Sequence, residues 1–393
     1  MAKTPIRQSI EFIGRNGIGE VSRLGLGHKD VIPLWFGESD LVTPDFIRNA
    51  AKQALDEGQT FYTFSAGHPR LRQAIVDWTK RHYGLALDID RVTVPGAAML
   101  AVITALQCTV ETGDEVIVIS PVWPNIFFAV QAVGGKPVFV RLERAHGGGD
   151  WSLNFDALAR AVTPRTKAIF CASPGNPTGW VARAEEQKKL LAFARAHGLA
   201  ILADEVYGQL VYDAPNAPSF LSIAEPDDNV FVINSFSKAW AMTGWRIGWL
   251  VGPKRLARPL AQLSTLNNTG ATTFAQFGAV AALEQGDDFV REMVRRCARG
   301  REIMDQFVRS QNRVTWSKPE GAFYAFIEVD GMKDSLSFAK ALVEKARVGV
   351  APGSAFGPET DAENDRYLRL CFAISPDKLE TALGRIGEAL KSL

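Results

Sequence analysis

The stretch KAIFCASPGNPTGWVARAEEQKKLLAFARAHGLAILADEVY, residues 167–207, carries the pattern that decides the fold. Two short apolar runs, 167–173 and 199–205, flank a helical segment that ends at Gly198, and glycine is the residue that most often ends a helix. A strand, a helix and a second strand in this order typically join two neighbouring parallel strands. The stretch therefore predicts part of a parallel α/β sheet.

Similar apolar runs occur on both sides of this stretch. They cover residues 92–94, 115–120, 137–140, 229–235 and 246–252. Helical segments such as AAMLAVITALQCT lie between several of them. The alternation predicts an α/β fold in which a mostly parallel seven-stranded sheet is sandwiched by helices. Ligands of such sheets bind at the carboxyl ends of the strands.

The pattern changes after about Gly300. A long helix leads to the strand-like segments 321–329 and 366–373, with the helical segment 337–346 between them and a closing helix after them. Segregated strands and helices predict a smaller α+β domain. We expect three parts. Residues 1–45 form an N-terminal segment that joins the small domain, residues 46–295 form a large domain, and residues 296–393 form the small C-terminal domain.

Composition and charge limit the class of protein. The 44 basic and 43 acidic residues give a net charge of +1, which favours a small-molecule partner over a nucleic acid or a membrane surface. The four cysteines lie far apart without the CxxC spacing of a metal site, so we expect no metal. Because the N-terminus lacks a signal-like apolar stretch and no run of 18 apolar residues occurs, we expect a cytoplasmic protein.

Several polar motifs lie where strands end or helices begin. Asp204 closes an apolar run, SPGNPTG at 173–179 is a Pro/Gly turn, and PGAA at 95–98 precedes a helix and could bind an anion. Taken singly, each also fits an ordinary cap, turn or helix start. Lys238 is different, because the segment SFSKAWAMTGWRIGW, residues 235–249, is too apolar and aromatic for a surface lysine.

One cofactor would account for all of these motifs. Pyridoxal phosphate needs a lysine amine for its aldehyde, a carboxylate for its ring nitrogen, donors for its phenolate oxygen and a polar cradle for its phosphate. Lys238 could bind the aldehyde and then move a proton between substrate and cofactor carbons.

The ordered motifs make the chain resemble a pyridoxal-phosphate-dependent aminotransferase of fold type I, class I/II, similar to aspartate aminotransferase. They are YTFSAGHPRLRQAI, PGAAML, SPVWPN, SPGNPTG, ADEVY, SFSKAWAMTGWRIGW, GAFYAF, APGSAFG and RLCF. The resemblance implies that Lys238 binds the cofactor covalently and that Asp204 pairs with the pyridinium nitrogen. It also implies that Asn176 and Tyr207 donate to the phenolate oxygen and that Trp123 stacks on the ring, although core packing is the alternative for Trp123.

The same resemblance implies how the phosphate is held. Its ligands would be Ser235, Ser237 and Arg246, together with the backbone N–H groups of Ala97 and Ala98.

The resemblance further implies a homodimer with shared active sites. A tyrosine of the neighbouring subunit reaches the phosphate in the family, and Tyr62 matches that position. The alternative is that Tyr62 packs inside a loop core.

Substrate residues are also implied by the resemblance. Arg369 would clamp the α-carboxylate, aided by the backbone of Gly37 and the amide of Asn176, while Arg366 is a surface residue or a substitute. Aspartate-type relatives carry an additional cation, in some branches a lysine where this chain has Ala97.

The segments that border the pocket in relatives are apolar or aromatic in this chain. They contain Ile18, Trp35, Phe36 and Phe356, some of which could instead pack the core. We therefore expect an aminotransferase that acts on an L-amino acid with an apolar or aromatic side chain and on a 2-oxo acid.

Three other functions remain possible. A β C–S lyase would use the same lysine, aspartate and arginines. A ligand-sensing domain of a transcription regulator is disfavoured, since no N-terminal helix-turn-helix motif or basic arm occurs. A dinucleotide dehydrogenase is disfavoured because no GxGxxG follows a first strand.

Overall fold

A computed structural model describes residues 17–145 and 148–393. Its α-helices are α1 (Gly17–Gly25), α2 (Asp45–Asp56), α3 (Pro69–Tyr83), α4 (Ala98–Thr109), α5 (Asn125–Ala132), α6 (Phe155–Arg160), α7 (Ala184–His197), α8 (Ala257–Asn268), α9 (Thr273–Gln285), α10 (Asp287–Arg309), α11 (Ser335–Ala346) and α12 (Pro376–Ala389). Its strands are β1 (Ile32–Pro33), β2 (Val92–Gly96), β3 (Glu115–Ser120), β4 (Lys136–Arg141), β5 (Thr166–Ala172), β6 (Ala200–Asp204), β7 (Val230–Ser235), β8 (Gly248–Val251), β9 (Val314–Trp316), β10 (Tyr324–Val329), β11 (Val348–Gly349), β12 (Ala351–Pro352) and β13 (Tyr367–Cys371).

The main sheet has seven strands in the order β2-β8-β7-β6-β5-β3-β4. Strands β3 to β7 pair in parallel, whereas β8 runs antiparallel to both of its neighbours. The predicted α/β fold with a mostly parallel seven-stranded sheet is therefore confirmed. The opening stretch forms β5, α7 and β6 as predicted, and Gly198 ends α7 with a left-handed φ of 66°.

The last strand of the main sheet is shorter than the sequence predicts. The prediction began at Arg246, but β8 starts at Gly248. A single 3₁₀ turn, Thr243–Trp245, precedes it, and Arg246 has a φ of 55°, which is not a strand conformation. Gly248 lies so close to α4 that a Cβ there would come within 2.9 Å of the backbone nitrogen of Ala98.

A four-stranded antiparallel sheet, β12-β13-β10-β9, lies in the C-terminal part. Helix α10 runs through Gly300, so the predicted change of pattern falls inside a helix. The N-terminal segment contacts this part, because β1 pairs in parallel with β11 and α1 packs against α11 and β12. The predicted domain limits stay a prediction, and residues 1–16 lie outside the described residues.

The topology gathers the ends of three neighbouring strands. β5, β6 and β7 are adjacent and parallel, so Ala172, Asp204 and Ser235 lie at the same edge of the sheet. No helix within the described residues is long and apolar enough to span a membrane.

Candidate active site

A cavity of about 390 Å³ opens at this edge of the main sheet. Most of the residues that the sequence singled out line it: Ile18, Trp35, Phe36, Gly37, Ala98, Trp123, Asn176, Asp204, Tyr207, Ser235, Ser237, Lys238, Arg246 and Arg369. Ala97, Tyr62 and Phe356 do not. Segments of the chain from Ile18 to Arg369 are thus brought to one place, as the resemblance requires.

Lys238 lies in the turn that follows β7. Its Nζ donates a hydrogen bond of 2.6 Å to the carbonyl oxygen of Gly37 and lies 5.9 Å from the ring centroid of Tyr207. Burial lowers the pKa of this amine to about 8, since the charged form loses its hydration. A substantial fraction of the amine is therefore neutral and nucleophilic under mildly alkaline conditions.

Asp204 ends β6, after four buried apolar residues. Burial raises the pKa of its carboxyl group to about 6, and the backbone N–H of Val206 and the charge of Lys238 act in the opposite direction. The N–H of Val206 lies 3.2 Å from the carboxylate. A cationic group inside the cavity would stabilise the ionised form further.

Two polar side chains lie beside these residues. Tyr207 is buried, and its Oη lies 2.6 Å from the Oη of Tyr324. Asn176 follows β5, and its side-chain Oδ1 is buried without a hydrogen-bond partner among the described residues. A buried carbonyl oxygen without such a partner indicates that a group able to donate a hydrogen bond belongs beside it.

Another group of lining residues is suited to an anion. Ser235 and Ser237 are buried, and the N–H of Ser237 donates to Oγ of Ser235 over 3.1 Å. Arg246 is exposed and donates to the carbonyl oxygen of Thr243 over 2.5 Å. Ala98 begins α4, where the first N–H groups have no partner within the helix. Ala97 caps this helix without lining the cavity itself.

Arg369 lies on β13 and is only 3% exposed. Its guanidinium donates to the carbonyl oxygen of Trp35, and its Cζ lies 4.7 Å from the ring centroid of Tyr324 and 5.3 Å from that of Phe356. Its Nε is buried without a partner among the described residues. A buried guanidinium with an unused donor suits a carboxylate ligand.

Two residues that the sequence analysis considered, Phe356 and Arg366, do not line the cavity. Phe356 is fully buried beneath Arg369. It therefore packs in the core, which the sequence analysis gave as the alternative to the pocket wall. Arg366 does not line the cavity, because its guanidinium pairs with Glu328 over 2.6 Å.

Tyr62 lies outside this cavity and is 90% exposed, which contradicts the alternative that it packs inside a loop core. Neighbouring contacts hold its loop. The hydroxyl of Thr273 donates to the carbonyl oxygen of Phe61 over 2.7 Å, and Nε2 of Gln276 donates to the hydroxyl of Thr63 over 3.1 Å.

The lining residues that sequence reasoning missed include Met99, Thr243 and Tyr324. All three belong to motifs that carry the resemblance, PGAAML, SFSKAWAMTGWRIGW and GAFYAF. The motifs pointed to this region, but the sequence analysis assigned no role to these three side chains.

Comparison with known proteins decides the family. The model of the family "Aminotransferase class I and II" matches residues 29–386. The chain belongs to this aminotransferase family. The aspartate aminotransferase of Geobacillus stearothermophilus is 37% identical over 369 residues, 92% of this chain and 91% of the relative. The aromatic-amino-acid aminotransferase 2 of Thermococcus litoralis is 33% identical over 386 residues, 97% of each chain.

Solved structures agree with this membership. The aspartate aminotransferase of Rhizobium meliloti superposes with a TM-score of 0.90 at 31% identity and covers 99% of both chains. Enzymes of the class I and II aminotransferase family generally depend on pyridoxal phosphate.

The raised pKa of Asp204 makes the cofactor-free protein sensitive to pH. The folded state holds this proton up to a pKa of about 6, whereas the unfolded state releases it near 3.8, so stability falls as the pH rises between these values. We expect Asp204→Asn to melt at a higher temperature than the parent above pH 6, with a difference that grows from pH 4 to pH 6.

Thermal melts of the cofactor-free proteins between pH 4 and pH 7 measure this difference. Asp56→Asn removes an exposed carboxylate instead and should follow the parent curve. If the melting temperatures of Asp204→Asn and the parent differed by the same amount at every pH, the raised pKa of the Asp204 carboxyl group would be refuted.

Proposed function

We propose that the chain is a pyridoxal-phosphate-dependent aminotransferase that moves an amino group between an L-amino acid with an apolar or aromatic side chain and a 2-oxo acid. The convergence of a buried amine, a buried carboxylate and two arginines on one cavity carries the proposal. When bound, pyridoxal phosphate supplies the electron sink that lets the bond between the α-carbon and its hydrogen break.

The residues of the cavity fit this cofactor. Lys238 would bind its aldehyde and, once displaced by the incoming amine, carry a proton between substrate and cofactor carbons. Asp204 would hold the proton on the ring nitrogen, and this new cation would offset the cost of the buried carboxylate. Asn176 and Tyr207 would donate to the ring oxygen, and Trp123 would cover the ring face.

A second group of lining residues would hold the phosphate. The hydroxyls of Ser235 and Ser237, the guanidinium of Arg246 and the first N–H groups of α4 would surround it. These groups combine charge-assisted hydrogen bonds with the positive end of a helix, which together favour a dianion.

Arg369 would bind the α-carboxylate of the substrate. Its guanidinium is fixed between the carbonyl oxygen of Trp35 and two aromatic rings, so a carboxylate bound to it would take a single orientation. A fixed orientation of the α-carbon selects which of its bonds breaks.

The rest of the wall supports an apolar side chain. Ile18, Phe36, Met99 and Val102 line the cavity. Among the described lining residues, the cations are Lys238, Arg246 and Arg369, and each already has a proposed partner. A second substrate carboxylate would find no cation there, whereas an apolar group would be buried favourably.

A second copy of the chain would complete the site. Tyr62 does not line its own cavity and is 90% exposed, and Phe61 and Phe64 beside it are 83% and 61% exposed. Three exposed aromatics within four residues support an interface in which Tyr62 reaches the phosphate of the other subunit.

Removal of the lysine tests the chemistry. Lys238→Ala should still bind pyridoxal phosphate through its other ligands but lose at least about 10²-fold in turnover, because amine and proton carrier are both absent. Borohydride should fix the cofactor covalently to the parent and to the exposed-lysine control Lys189→Ala, but not to Lys238→Ala. Undiminished turnover in Lys238→Ala would refute the mechanism.

Half-reactions of the purified holoenzyme test the substrate class. Phenylalanine, tyrosine and leucine should convert the visible absorbance band faster than aspartate or glutamate, because the described wall offers no second carboxylate site. A fast response to aspartate or glutamate alone would refute the apolar preference. Ammonia and pyruvate released from a cysteine conjugate, without amino transfer, would instead identify a β C–S lyase.

Hybrid dimers test the shared site. Lys238→Ala and Tyr62→Ala subunits should each be impaired as homodimers, but their mixture should regain activity because one site of the hybrid has both native residues. No recovery in a mixture whose hybrids are verified by mass would refute the contribution of Tyr62 to the other subunit.

A further inference from the structure

Tyr324 contacts two other residues of the cavity, Tyr207 and Arg369. It starts β10, is fully buried, and lines the cavity. Cys371 faces it across the antiparallel pair of β10 and β13, and Arg369 faces Phe326, so Tyr324 and Arg369 are diagonal neighbours on one face of the small sheet. Their contact is therefore fixed by strand register. Gly37 leaves room for the hydroxyl, because a Cβ there would overlap Oη of Tyr324.

The hydroxyl pair formed by Tyr207 and Tyr324 can be oriented in two ways. Their oxygens lie 2.6 Å apart, and either can donate. Burial raises the pKa of both hydroxyls well above 10, so both are protonated at neutral pH. One proton is shared within the pair, and the other points elsewhere.

The charge of Arg369 selects one orientation. A guanidinium only donates hydrogen bonds, and its positive charge attracts the lone pairs of a nearby hydroxyl oxygen while it repels the proton. Arg369 stacks on the ring of Tyr324 with its Cζ 4.7 Å from the centroid. Arg369 also acts as a hydrogen-bond partner that lowers the pKa of the Tyr324 hydroxyl. Because the oxygen of Tyr324 accepts from Arg369, its own proton can point toward the oxygen of Tyr207, which leaves the proton of Tyr207 free to point into the cavity.

We propose that Tyr324 is a positioning residue that donates to Tyr207 and so directs the phenolic proton of Tyr207 onto the ring oxygen of the cofactor. The inference rests on the proposed function and adds a residue to it. An oxygen that accepts a hydrogen bond becomes a better donor, so Tyr324 also strengthens the bond that Tyr207 makes. The relay links the arginine of the substrate carboxylate to the ring oxygen of the cofactor.

The visible absorbance of the bound cofactor reports on this relay. Donors to the ring oxygen withdraw negative charge from it and thereby lower the pKa at which the lysine-linked chromophore changes colour. Tyr324→Phe keeps the ring under Arg369 and removes only the hydroxyl. It should raise this spectroscopic pKa by roughly half a unit to one unit, and Tyr207→Phe should raise it more.

A double-mutant cycle separates the relay from a local packing effect. If Tyr324 acts through Tyr207, Tyr324→Phe should cause no additional shift in a Tyr207→Phe background. Tyr212→Phe is the matched control, because it removes a hydroxyl that donates to the carbonyl oxygen of Ala322 and does not line the cavity. It should leave the spectroscopic pKa at the parent value.

The outcomes distinguish the relay from the proposed function. The relay would be overturned if folded, cofactor-loaded Tyr324→Phe kept the spectroscopic pKa of the parent, or if Tyr324→Phe caused the same shift in the parent and in Tyr207→Phe. Either result would leave the proposed function intact. If Tyr324→Phe does not fold, 3-fluorotyrosine replaces Tyr324 in the parent and in Tyr207→Phe. This more acidic donor should lower the spectroscopic pKa in the parent background and leave it unchanged in Tyr207→Phe. Absence of a visible chromophore in the parent would overturn the proposed function and the relay together.

Discussion

The burial of the Asp204 carboxylate at the end of an apolar strand is the constraint around which the cavity is built. Four apolar residues of β6 are covered on both faces of the sheet, so the chain brings a carboxylate to a place from which water is largely removed. Parallel neighbours end at the same edge, and their following loops supply Asn176 and Lys238. The fold thereby turns the ends of hydrophobic strands into a polar site.

Close approach between separate parts of the chain gives the site its shape. Gly248 lets β8 contact the start of α4, and Gly37 lets the N-terminal segment contact the hydroxyl of Tyr324. The carbonyl oxygens of this segment then accept hydrogen bonds from Lys238 and, through Trp35, from Arg369. The main sheet, the small sheet and the N-terminal segment are therefore connected at the atoms that the proposed chemistry uses.

The sequence predicted the sheet because its strands are largely apolar and its helices end at recognisable residues such as Gly198. The ordered motifs, through their resemblance to class I and II aminotransferases, predicted most of the residues that line the cavity. The direction of β8 and the role of Tyr324 could not be predicted in this way. The hydroxyl pair of Tyr324 and Tyr207 joins residues 117 positions apart and depends on the register of β10 and β13. The exposure of Tyr62 likewise follows from the fold of its loop and not from its residue type.

The charges of the cavity explain why an anionic cofactor and an anionic substrate would suit it together. Lys238, Arg246 and Arg369 face a single lining carboxylate, that of Asp204, among the described residues. Burial is the main cause of the lowered pKa of Lys238, and the positive charges of Arg369 and Arg246 lower it further. A phosphate at Arg246 and a carboxylate at Arg369 would each neutralise one of these charges, while a ring cation would stabilise Asp204. The groups that make the cofactor-free site costly to fold are thus the groups that would bind the two ligands, so affinity and instability have the same physical origin.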